Sequence, residues 1–82
     1  MDKKNLLRRI TINPNVMVGK PVIKGTRLTV QFILGLLAHG QTMDDIKKEY
    51  PNIEREDITA CLIFATKTLD SSTFLPINNE QS

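Results

Sequence analysis

Gly19-Lys20-Pro21-Val22-Ile23-Lys24-Gly25-Thr26-Arg27 gathers cations, a hydroxyl and two glycines, the groups that hold phosphate. A nucleotide-binding loop reads G-x-x-x-x-G-K-[ST] and leads straight into a helix whose N-terminus faces the phosphates. Here Lys24 precedes Gly25, Pro21 lacks an amide donor, and Arg27 to Val30 intervenes before any helical pattern. The motif for ATP or GTP is not met. Two readings remain. In one, Gly25 makes a turn and Val22, Ile23 and Leu28 pack on the first helix. In the other, the segment does this and also presents Lys20, Lys24 and Arg27 to DNA phosphates, with binding that weakens as salt rises.

Other reactive groups are sparse. One His and one Cys exclude a disulfide framework and a zinc site built from those residues alone. A catalytic set needs converging titratable groups. His39 sits where a helix ends, Cys61 lies on an apolar stripe, and Asp44-Asp45 occupies a first helical turn, where acids serve the dipole. We expect no catalytic residue, no metal, no cofactor and no enzyme.

The 82 residues make one domain. A chain of this size buries only about 60–65% of its unfolded surface, so a second copy or a partner is an expected source of stability. Forty per cent of the residues are apolar and 24% charged, as in ordinary globular proteins. Trp is absent and Tyr occurs once, which argues against a platform for stacked bases. Leu6-Leu7 runs at once into Arg8-Arg9, unlike a secretory leader, and no apolar run approaches the roughly 18 residues that span a membrane. A cytoplasmic protein is expected.

Charge is unevenly spread. Residues 1–27 hold Lys3, Lys4, Arg8, Arg9, Lys20, Lys24 and Arg27 against Asp2 alone, a net of +6, and the remainder nets −4. Such a split points to a basic segment for a polyanion.

The alternation of Ile10 and Ile12 predicts a short strand, ended by Asn13-Pro14. Pro21–Ile23 and Arg27–Val30 flank Lys24-Gly25-Thr26 as a hairpin would. From Thr29, an N-cap, the period becomes helical. Val30, Ile33, Leu34, Leu37 and Ala38 form a stripe widened by Phe32 and Leu36, and Gly40 closes it. Gly35 inside this helix costs about 1 kcal/mol against Ala, which implies close approach of another backbone. Thr42 and Asp45 resemble a capping box, Met43, Ile46 and Tyr50 share a face, and Pro51 stops the second helix. The third helix carries Ile58, Cys61, Leu62, Ala65 and Leu69 at three-four spacing. Ile63 and Phe64 lie off that stripe and are candidate dimer contacts.

The runs "ITINPNVMVGKPVIKGTRLTV" and "LLAHGQTMDDIKKEYPNIEREDITACLIFA" resemble the bacterial family catalogued as domain of unknown function 433, from about Ile10 to Ala65. The likeness rests on Asn13-Pro14, Gly19-Lys20-Pro21, Gly25-Thr26-Arg27, Gly40 with Thr42, Tyr50-Pro51 and Asp57-Ile58. Relatives often carry cysteine near Val18 or Val22, and this chain does not. The resemblance implies a helix-turn-helix antitoxin of VapBC-like pairs, whose partner is a PIN-like ribonuclease toxin.

The expected fold is therefore mainly α: a three-helix helix-turn-helix bundle, homeodomain-like or winged-helix-like, with short N-terminal β-strands or a hairpin. Residues 1–9 form a basic arm. One domain covers 10–71, with a β segment over 10–30 and helices at about 30–39, 43–50 and 55–71. Residues 72–82 form a tail. Arg8, Arg9, Lys20, Lys24, Arg27, Arg55 and Thr59 are the candidate DNA contacts. Helix-turn-helix proteins read DNA with the start of the third helix, yet Glu54, Glu56 and Asp57 there oppose phosphate, so the basic β segment is the better candidate. Phe74, Leu75 and Ile77 offer apolar anchors to a protein partner. The expected function is an antitoxin-like autoregulator, a homodimer that binds its own operator and neutralises a ribonuclease. The alternative is a protein-interaction module without DNA binding.

Overall fold

The computed structural model describes residues 3–71. Its order is α1 (Lys3–Leu7), β1 (Ile10–Ile12), a 3-10 turn over Met17–Gly19, β2 (Pro21–Ile23), α2 (Val30–Ala38), α3 (Met43–Glu49) and α4 (Arg55–Ser71). The fold is mainly helical, with four helices and one small antiparallel sheet among the described residues. Among the described residues no helix is long and apolar enough to cross a membrane.

Capping sets the helix ends. Thr29 Oγ1 accepts from Phe32 N at 3.0 Å and starts α2. Thr42 Oγ1 accepts from Asp45 N at 3.1 Å while Asp45 Oδ2 accepts from Thr42 N at 2.9 Å, a complete capping box on α3. Gly40, at φ +96, ends α2 as anticipated.

The core is formed by Ile23, Val30, Ile33, Ile46, Ile53, Ile58 and Cys61, with Ile10, Leu34, Leu37, Tyr50 and Phe64 packed against it. Phe32 and Tyr50 meet edge to face at 5.9 Å, a contact worth about 0.5–1.5 kcal/mol beyond its burial.

Several expectations need correction. The stretch read as a basic arm contains α1, which packs on α4 and buries Leu6. The apolar stripe of α4 is rotated: Asp57, Ile58, Ala60 and Cys61 are buried and Phe64 joins the core. Leu62 and Leu69 stay 40% and 70% exposed. Ala38 is exposed, and Ile53, assigned only to a turn, is fully buried. Nothing lies within 4 Å of where a Cβ on Gly35 would sit, so no backbone approaches it.

The sheet also differs. β1 pairs with β2 in antiparallel register, with Ile10 opposite Ile23, Thr11 opposite Val22 and Ile12 opposite Pro21. The hairpin expected between Pro21–Ile23 and Arg27–Val30 reduces to a single bridge, Val22 with Thr29. Its turn is tightly stitched. Thr26 Oγ1 donates to Ile23 O at 2.8 Å and accepts from Leu28 N at 3.0 Å, and Gly25 takes φ +80. The loop between the strands turns through Met17 at φ 49 and Val18 at φ 56, left-handed positions that L-residues avoid. Val18 is branched and 92% exposed, so no packing repays its strain. Val18→Asn should raise the unfolding free energy by up to about 1 kcal/mol, measured by urea denaturation.

Candidate functional site

The basic segment folds into the two-stranded ribbon and its flanking turns. Arg8 sits just before β1. Lys24 N donates to Arg9 O at 2.7 Å, so Arg8, Lys24 and the turn residue Arg27 gather at one end. Lys20 precedes Pro21 at the other end, roughly 13 Å from Lys24 at about 3.3 Å per strand residue. Arg27 joins Thr11, Asn13 and Thr26 around an open concavity of about 440 Å³ on the side of the ribbon that carries Val22.

The cations divide into two groups. Arg8, Lys20, Lys24 and Arg27 are exposed and form no salt bridge with a described acid. Arg9 and Arg55 are engaged. Arg9 Nη1 donates to Glu54 Oε1 at 3.0 Å and Asp57 Oδ1 at 3.1 Å. These bonds, that to Asp57 foremost, raise its pKa further above the usual arginine value. Arg55 Nη1 donates to Asp44 Oδ1 at 2.7 Å, and Thr59 Oγ1 to Arg55 O at 3.2 Å. Arg9, Arg55 and Thr59, all anticipated as DNA contacts, thus have intramolecular partners. For Arg9 the contact is structural and one-third exposed; the Arg55 pair is open to water and worth little.

Asp57 is the hub that sequence reasoning missed. It is 8% exposed, and its second oxygen accepts from Glu54 N at 2.8 Å, half of a capping box on α4. The spacing of Glu54 and Asp57 was legible as a helix start; the arginine that faces them from 48 residues away was not.

The remaining candidates behave as structural groups. His39 Nδ1 donates to Gly35 O at 2.8 Å as a C-terminal cap. Cys61 is fully buried, and burial, reinforced by Asp57, pushes its thiol up to about 12. Among the described residues no three His, Cys, Asp or Glu side chains cluster as metal ligands would. Phe64 packs on the core and Ile63 is half-buried beside Leu62. Phe74, Leu75 and Ile77 lie outside the described residues.

This is a small, mainly helical domain carrying a basic two-stranded ribbon on a core of branched aliphatics. The chain belongs to the family described as protein of unknown function (DUF433), whose model matches residues 10–65. It is similar to the uncharacterized protein y4eO of Sinorhizobium fredii, 29% identical over 56 residues, which are 68% of this chain and 25% of that protein. The chain thus spans a quarter of that relative's length. A DUF433 member protein from Anabaena variabilis, solved by crystallography, superposes with a TM-score of 0.73 at 24% identity, covering 82% of this chain and 66% of that one. That likeness establishes the fold.

Asp57→Ala should lower the melting temperature more than Arg9→Ala, because it removes both the arginine contact and the α4 cap; differential scanning calorimetry ranks them. The Cys61 thiol should resist a thiol reagent at pH 8 and react stoichiometrically only in denaturant, followed by absorbance of the released chromophore.

Proposed function

We propose that the chain is an antitoxin-like, DNA-binding autoregulator that works as a homodimer and neutralises a PIN-like ribonuclease partner. One observation carries the DNA reading: four cations of the ribbon and its turns stay exposed and free of described carboxylates, while their neighbours Arg9 and Arg55 are neutralised. Phosphate contact by each releases counterions and adds to the affinity.

The α3–turn–α4 unit supports a helix-turn-helix reading, and Glu54, Arg55 and Glu56 bear on how it would be used. The start of α4 carries more acid than base, and its arginine is bonded to Asp44. DNA is therefore met by the ribbon, through Arg8, Lys20, Lys24 and Arg27, rather than by α4. Operator autoregulation and the ribonuclease partner rest on family resemblance, and cytoplasmic location follows from such a role. Exposed Ile12, Leu62 and Leu69 favour the second reading, a protein-interaction module without DNA binding.

Electrophoretic shift of duplex from the chain's own promoter region tests the choice. Wild type should shift it, and the affinity should fall with salt. The Lys20→Ala, Lys24→Ala, Arg27→Ala triple variant should lose the shift at moderate salt, with the logarithmic salt slope shallower by roughly 0.9 per lost phosphate contact. An unchanged shift removes the ribbon from the proposal. No shift at low salt, with a protein partner still co-purifying, selects the second reading.

A further inference from the structure

The outer edge of β1 is bonded to no described strand. Its hydrogen-bonding phase follows from two bonds. Lys24 N donates to Arg9 O at 2.7 Å, which makes Arg9 and Lys24 a bonded pair; Ile23 N turns away from β1 to Leu28 O at 2.9 Å. By the antiparallel alternation, Thr11–Val22 is then bonded across the sheet, and Ile10 and Ile12 direct their amides and carbonyls outward. Pro21, opposite Ile12, stands at a non-bonded position, where the missing amide costs nothing. β1 contains no charge and no proline to blunt this edge.

We propose that β1 pairs with β1 of a second copy, giving a four-stranded sheet across a twofold axis at Thr11. Antiparallel pairing about Thr11 sets Ile10 opposite Ile12 of the other copy. These are the residues whose backbone groups point outward, so each such pair closes as a bonded pair, and the two Thr11 side chains meet at a non-bonded position. Side chains directly opposite share a face. Ile10 and Ile12 both line an open groove of about 580 Å³ with Leu7 and Phe64. The twofold therefore places Ile12, 59% exposed in one copy, beside Ile10 in the groove of the other, and the reverse.

A stable interface buries about 1,200–2,000 Å² in total. Three residues of strand edge from each copy fall far short of that, and closure of both grooves over Ile12, Leu7 and Phe64 adds apolar contact without reaching it, so the dimer is a small interface that dissociates on dilution. This arrangement specifies the homodimer of the proposed function and moves its contact from Ile63 to β1. It also carries the spare cations of both copies on one sheet. It does not depend on DNA binding.

Sedimentation velocity on the full chain, with amide hydrogen exchange, tests it. Wild type should sediment as two chains, with slow exchange at the Ile10 and Ile12 amides that quickens on dilution. Ile12→Lys, at an exposed side chain, should keep the circular dichroism and melting of one folded chain, halve the mass and free both amides. A chain ended after Ser71 should still dimerise. The proposal is overturned by a wild-type monomer, by a folded Ile12→Lys dimer, or by loss of the dimer in Leu69→Lys but not in Ile12→Lys. It is equally overturned by a monomer whose Ile10 and Ile12 protection vanishes on removal of residues 72–82, since the tail would then hold the edge. A wild-type dimer that shifts no duplex would count against the proposed function and leave this interface standing.

Discussion

The fold turns on the carboxylate of Asp57. It caps α4 through Glu54 N and holds Arg9 at the mouth of β1. One nearly buried anion thereby joins the N-terminal segment to the longest helix. The clamp adds to the apolar packing of α1 and β1 on α4, to which Leu6, Ile10 and Phe64 contribute. The arrangement is economical electrostatically. A carboxylate at a helix N-terminus already faces a favourable dipole, and Arg9 Nη1 adds a charged donor to the oxygen that Glu54 N leaves open.

That clamp also decides what the remaining charge can do. Once Arg9 is matched by carboxylates, the exposed positive charge around the ribbon is carried by Arg8, Lys20, Lys24 and Arg27. They sit on turns around a ribbon of three residues a strand, where the backbone fixes their spacing and the side chains stay in water. The glycine-rich loop is primarily a stitched turn. Its threonine hydroxyl is already committed to Ile23 O and Leu28 N, so phosphate recognition there belongs to the cations.

Much of the helical body was readable from residue order. Thr29 and Thr42 announced their helices because a side-chain oxygen three residues ahead of an amide is a local matter. Ile33, Ile46 and Ile58 lay on apolar faces whose period is set by the helix itself. The family likeness over residues 10–65 was legible in the same local motifs. The candidate site was legible as a set of cations, but its division into bonded and spare members was not, since Arg9 meets its partners far along the chain. The α4 stripe is legible in part for a related reason: Ile58 and Cys61 lie on it, but packing by distant segments buries Asp57 and Phe64 beside them rather than Leu62 and Leu69.

Residue order by itself determined the capped helices, the apolar faces and the positive bias of the first third, all of which depend on neighbours within a turn or on simple composition. The tertiary structure decided that β2 takes β1 as its strand partner and keeps only a single bridge to the segment after Gly25, that α1 belongs to the body, and that Asp57 takes Arg9. Those outcomes depend on pairing between distant segments, where several partners of like chemistry compete and burial and geometry choose among them.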